Sequence, residues 1–326
     1  MKTLLRFTLA LLAMPLLLAG CLTTADDGTE MVIPKTKQND YLSKTVSPQT
    51  YGFEVYPVQG GISYRGTCHL HARHMASANF IKGNIPVIDI RGSAARKKMD
   101  ALLDVSSPSS WIEFATSQRF DADFMGWNDQ VMPYRGVYNT GGVDAYAGRI
   151  SQLRIKQLMI EDVPFYIRMA TGSIGPLARG IEIPKVDAVI GWETLSQFEY
   201  IQFDLRNESV QFSSTIPYVP HEQLVMTQAM IVKLPNYGLA VRGAIYGESM
   251  PILLDFAGNY NFARGDKRVT STKQVSIGDI AFRKVPTLML PVHNSPPRAG
   301  RKMLEEYIVT ICNKKGVVYF ELHPED

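Results

Sequence analysis

The sequence predicts an all-β, mainly antiparallel fold built as two lobes with a cleft between them. Three observations predict it. From Tyr51 onward, short apolar runs alternate with Gly, Pro and Asn turns, the pattern of strands joined by tight connections. Helical periodicity is scarce, and supports only short helices at Ser93 to Leu103 and Arg301 to Tyr307. Finally, the chain repeats itself, and the repeat divides it in two.

The repeat has three parts. Gln152 to Pro164 aligns without a gap to Gln274 to Pro286, a shift from 152 to 274. Apolar positions agree at Leu153/Val275, Ile155/Ile277, Leu158/Ile280, Ile160/Phe282 and Val163/Val285. Gly191 to Leu195 with Phe198 matches Gly300 to Leu304 with Tyr307, and each is followed by a strand, a polar turn and a strand ending in Phe212 or Phe320. Ala101 to Asp104 matches Ile252 to Asp255. The parts keep the same order in both halves, which implies homologous β lobes over 51–217 and 218–326. Two separate barrels joined by 214–222 are the alternative architecture.

Composition narrows the function classes. With 326 residues, 45% hydrophobic and 20% charged, the chain is too apolar for a disordered protein and long enough for a large core. Its 25 Gly and 19 Pro follow no collagen-like period. Lys+Arg 34 against Asp+Glu 31 leaves a net charge of +3; without Lys2 and Arg6 the cations fall to 32 against 31. No basic stripe accompanies so small an excess, so nucleic acid is not an expected partner.

The first twenty residues read as a signal peptide, with cations at Lys2 and Arg6 and an apolar stretch from Leu9 to Leu18. About ten apolar residues are too few to span a bilayer. Leu18-Ala19-Gly20-Cys21 resembles the lipobox of bacterial lipoproteins, in which the Cys becomes the acylated, palmitate-bearing first residue. An ordinary signal peptide with a chance Cys is the bland reading. Leu22 in place of Asp resembles the outer-membrane sorting pattern. Together these imply a protein held by lipid to the outer membrane and facing the periplasm. Residues 21–50, rich in Thr, Asp, Lys, Gln and Ser, form the tether.

Cys68 and Cys312 remain, and in an oxidising envelope they are either bridged or two buried thiols; the sequence leaves both open. Cys68, His69, His71 and His74 form a dense cluster with three of the six His. On a helix His71 and His74 would share a face suited to zinc or copper. No second ligand pair is visible, so a polar loop or helix near the start of the fold is the expected reading and no metal is assigned.

An Asp followed by small residues ends an apolar strand once per half, at Asp104 and Asp255. Either can be an ordinary turn-forming Asp. Brought together at a pseudo-twofold axis, two carboxylates about 3 Å apart share one proton. The charged member then takes a proton from water while the protonated member donates to a carbonyl.

Here the sequence resembles the pepsin-like and retropepsin-like aspartic peptidases. Asp104-Val105-Ser106-Ser107 with Trp111 seven residues on is similar to the family pattern Asp-Thr-Gly-Ser followed by Trp. Tyr138-Asn139-Thr140-Gly141-Gly142 is similar to its flap hairpin, Asp187 to Gly191 to the segment packed behind the active loop, and Asp255-Phe256-Ala257-Gly258 to the second Asp-Thr-Gly. The resemblance covers about 80–326. It implies a cleft with Asp104 and Asp255 as the acid/base pair, and Tyr138, Gly141, Gly142, Trp111 and Ser107 as flap and substrate contacts. Trp111 is either plain core or the partner of Tyr138 at the flap base. An active chain would cleave peptide bonds by water attack, at acidic pH, with no cofactor and no covalent intermediate.

Departures point to a second expectation. Val105 and Phe256 stand where the family has Thr, and Ser106 and Ala257 where it has Gly. Arg298-Ala299-Gly300 replaces an apolar-apolar-Gly segment. The alternative is therefore a catalytically dead pseudo-peptidase that binds a peptide or protein partner in the cell envelope.

Overall fold

A computed structural model of the chain describes residues 45–58, 61–71, 75–93, 97–127, 130–131, 133–134, 145–168, 185–265, 269–290 and 295–324. The architecture is all-β, with mostly antiparallel strands in two barrel-like lobes. The signal peptide, Cys21, the tether up to 44, His74, Tyr138, Gly141 and Gly142 lie outside the described residues.

A nine-stranded sheet forms the first lobe. Its backbone is the long hairpin of Ala145–Ile155 and Leu158–Arg168, 11 residues each. Val87–Gly92 and Lys98–Leu103 pair antiparallel beside it, and Ala188–Ile190 runs parallel to Lys98–Leu103. The second lobe repeats this plan. Ser271–Ile277 and Ile280–Met289 form its hairpin, and Arg298–Gly300 runs parallel to Glu248–Asp255.

The duplication holds at the level of single residues. Gln152 faces Glu161 and Ile155 faces Leu158; with the shift from 152 to 274, Gln274 faces Arg283 and Ile277 faces Ile280. Left-handed backbone recurs at matching places: Lys156 (φ 55°) and Gly278 (φ 56°), Asp162 (φ 55°) and Lys284 (φ 51°). A left-handed conformation is unfavourable for residues with a Cβ. Its recurrence, once at the hairpin turn and once within the following strand, marks one inherited backbone.

Six antiparallel strands bind the lobes together: Met75–Asn79, Ser209–Ser213, Tyr200–Asp204, Ile308–Cys312, Val317–Glu321 and Val225–Val232. In the middle Gln202 pairs with Thr310, and the Gln202 amide donates to the Thr310 hydroxyl at 2.9 Å. These two residues hold equivalent places in the two halves, so the pseudo-twofold axis passes between them. The lobes are thus not separate barrels on a linker. The joining segment packs down on this sheet, where the Tyr218 hydroxyl donates to Glu321 and the His221 backbone N–H donates to Glu321 at 2.9 Å.

The inner face of the same sheet carries core. Phe198, Phe203, Phe212, Phe256 and Phe320 are all fully buried in one continuous cluster that spans both lobes. Of the helix expected over Ser93 to Leu103, Lys98–Leu103 is a strand: it pairs along Val87–Gly92 and buries Met99 and then the run Ala101, Leu102 and Leu103 between its neighbours. The other helix is present but stops early, at Arg301–Leu304. Cys68 and Cys312 are free thiols, both buried. Cys68 lies 4.0 Å from the Thr194 carbonyl, whereas Cys312 packs with Tyr200 and Val317 on the interlobe sheet.

Candidate functional site

Asp104 follows the strand Lys98–Leu103, whose apolar residues sink it into the first lobe. Its backbone N–H donates to the Ile190 carbonyl at 3.0 Å. Asp255 ends the strand Glu248–Asp255 in the second lobe, opposite Gly300. Both carboxylates are buried, at 5% and 3% exposure.

The Asp104 loop is tied to the second lobe at Gly238-Leu239, just before the strand Ala240–Ile245. The Leu239 N–H donates to the Val105 carbonyl at 2.6 Å, and the Gly238 N–H to the Ser106 carbonyl at 3.1 Å. A Cβ on Gly238 would sit 2.0 Å from the Val105 oxygen, so the close approach requires glycine. In return, Ala257 of the second lobe packs with Val87, Leu102, Val186 and Val189 of the first. Val105 is fully buried, and the Phe256 ring stacks on Phe203 at 4.3 Å between centroids. Apolar packing therefore occupies the positions where the resemblance placed a hydroxyl.

Asp104 Oδ1 accepts from the Ser106 N–H at 2.9 Å, the Ser106 hydroxyl at 2.6 Å and the Ser107 N–H at 3.2 Å. Burial, then the charge of Asp255, push the Asp104 pKa up to about 6, while the Ser106 hydroxyl and Arg298 oppose the rise.

Asp255 is held differently. Its Oδ1 accepts from the Ala257 N–H at 3.2 Å and the Gly258 N–H at 2.8 Å. Its Oδ2 accepts from the Tyr260 hydroxyl, with Arg298 Nη1 at 4.0 Å. Burial, then the neighbouring Asp255 charge, raise the Tyr260 pKa well above the usual phenol range, so the hydroxyl keeps its proton and donates. Room for this ring comes from Gly258 and Gly300, where an added Cβ would come within 2.4 Å of the Tyr260 side chain. Arg298, only 1% exposed, also donates from Nη1 to the Ser106 hydroxyl at 3.2 Å, so one guanidinium bridges both loops.

Of the other residues singled out in the sequence, Trp111 is half-buried and packs against Tyr166 at 5.2 Å. Ser107 is fully buried, its hydroxyl donating to the Ser109 carbonyl at 2.8 Å. His69 and His71 lie on a strand, and His71 Nε2 meets Glu161 at 2.5 Å. Among the described residues no group of three or more His, Cys, Asp or Glu is placed to hold a metal. Sequence reasoning missed Tyr260 and Arg298 as members of the site. A signal for Arg298 is visible in the sequence: a charged residue stands where the first lobe has Val189.

The architecture is an all-β fold of two barrel-like lobes with mostly antiparallel sheets. Among solved structures, the chain is similar to Basic 7S globulin from soybean, a protein of pepsin-related fold. The TM-score is 0.51 at 8% identity, over 77% of this chain and 95% of that one. A likeness at that identity concerns the fold alone. No family model and no curated protein matches the chain.

Proposed function

We propose that this protein binds an extended peptide or protein segment in its interlobe cleft without hydrolysing it. The observation that carries the reading is the engagement of Asp255. A water-activating dyad needs an oxygen of each carboxylate turned to the same water, but both Asp255 oxygens already accept from groups of their own lobe. Arg298 adds a fixed positive charge where the dyad would share a proton. Asp104 serves here to hold the Ser106 hydroxyl, which meets Arg298 of the second lobe, and the flap segment around Tyr138 would cover the bound chain.

The second reading, an aspartic endopeptidase, is favoured by the raised pKa of Asp104, which suits a carboxyl that exchanges a proton in mildly acidic solution. Digestion of a peptide library between acidic and neutral pH separates the two. Binding without cleavage, retained in Asp104→Asn, supports the first reading. Cleavage that disappears in Asp104→Asn overturns it.

The same proposal places the protein on the periplasmic face of the outer membrane, through lipid on Cys21. The lipobox-like Leu18 to Cys21 supports this. A tether of roughly 25 to 30 residues gives a span of about 30 Å, so partners would be other envelope proteins. A Cys21→Ser chain that stays in the membrane fraction with unchanged processing overturns this placement.

A further inference from the structure

The two lobes share a backbone plan but differ in what they bury. Leu103 pairs with Ile190 as Leu254 pairs with Ala299, so Val189 and Trp192 correspond to Arg298 and Arg301. Val189 faces Trp111 as Arg298 faces Ala263, which makes Ile112 the counterpart of Arg264. Three positions that are apolar in the first lobe are therefore arginines in the second. All three are buried, at 4% (Arg264), 1% (Arg298) and 5% (Arg301) exposure. The first lobe builds the same strands and turn with Ile, Val and Trp, so the fold itself does not require the charges.

Arg149 of the first lobe and Arg298, one of these three, show how this protein compensates such a charge. Arg149 meets Asp123 and Asp162, with the Tyr51 ring 3.7 Å from its Cζ. Arg298 is held by Ser106 and Asp255. Arg301 has no such arrangement: its Nε and Nη1 are enclosed and lack any acceptor among the described residues. Glu305, which caps the C-terminus of the same short helix, accepts from the Asn84 amide at 3.2 Å, across the seam from the first lobe. Burial lowers the Arg301 pKa, and the charges of Glu305 and Asp255 oppose that. A guanidinium taken from water without acceptors is costly, and natural folds keep one where an anion completes it.

We propose that Arg301 is the anchor of a carboxylate-binding site at the seam between the lobes, behind the Asp255 loop. A planar carboxylate accepts from adjacent guanidinium N–H groups in a bidentate pair, the geometry that distinguishes Arg from Lys. The site lies one residue beyond Gly300, whose neighbour Tyr260 holds Asp255, and the Arg301 N–H donates to the Gly258 carbonyl at 2.9 Å. A carboxylate seated there would brace the Asp255 loop from behind. This inference is independent of whether the cleft cuts or only binds.

The source is either a free organic acid or a chain-borne carboxylate, and the experiment separates them. Sodium acetate is titrated into the full-length protein at constant ionic strength against sodium chloride. The unfolding midpoint and the Arg301 Nε–H signal in nitrogen-15 NMR are followed. A saturable rise in midpoint with a shifted Nε–H signal is expected, because a ligand that binds only the native state stabilises it by mass action. Arg301→Met loses both effects, and Arg301→Lys keeps at most a weakened midpoint response. A short peptide with a free C-terminal carboxylate that acts at lower concentration than acetate, while its amidated form does nothing, identifies a chain-borne carboxylate; acetate alone identifies a free acid. An unmoved Nε–H signal in the wild type, or an acetate response retained by Arg301→Met, overturns the proposal. The wild-type titration alone decides it if the Met variant does not fold.

Discussion

Replacing Asp104 by Asn should change how stability depends on pH, and the size of the change follows from the site. The unperturbed carboxyl titrates at 3.8, and the folded one at about 6, so the native state binds this proton more tightly than the unfolded chain. Between those two values the unfolded state releases its proton first. Unfolding free energy therefore falls as pH rises through the window, and the loss is complete above pH 6. A shift of about 2 units at 1.36 kcal/mol each is worth about 3 kcal/mol, an order-of-magnitude figure for a carboxylate that shares its site with Asp255. The amide introduced by Asp104→Asn would keep an oxygen to accept from the Ser106 and Ser107 N–H groups but has no charge to bury. Urea unfolding of both proteins at intervals from pH 3.5 to 7.5 gives the difference directly. The Asn variant should gain on the wild type by about 3 kcal/mol between the ends of that range. A difference that stays constant, or moves the other way, would show that Arg298 holds Asp104 ionised, and the argument from burial would fail.

Three further outcomes are expected. Tyr260→Phe removes the donor to a buried carboxylate and should cost about 1.5–3 kcal/mol in urea unfolding; if it also makes the protein cleave peptides, the engagement of Asp255 is what suppresses hydrolysis. Phe256→Ala leaves a void against Phe203 at the lobe junction and should cost about 3–5 kcal/mol by the same measurement, whereas a surface-like cost below about 1 kcal/mol would refute its bridging role. Cys68, with its pKa pushed up to about 12 by burial, should resist thiol reagents in the native protein and react on denaturation; loss of both free thiols under denaturing, non-reducing conditions would indicate a disulfide instead.

What the sequence determined by itself was the set of relations that a repeated backbone imposes. The shift from Gln152 to Gln274 appears unchanged in the strand registers, because hairpin register is set by local turn geometry and by alternation of buried side chains. The positions of Asp104 and Asp255 were legible for the same reason, as ends of apolar strands inside a duplicated motif. The strand at Lys98–Leu103 reads as helix in the sequence because a short apolar segment satisfies both periods until its neighbour, Val87–Gly92, supplies the pairing. The partners of the carboxylates were decided only by tertiary structure. Tyr260 reaches Asp255 because Gly258 and Gly300 leave space for its ring, and Arg298 reaches Ser106 because two loops distant in sequence cross at the pseudo-twofold axis. Sequence spacing carries no information on which buried donor meets which buried acceptor across lobes, since that depends on the packing of Phe256 on Phe203 and of Gly238 on Val105 that sets the distance between them.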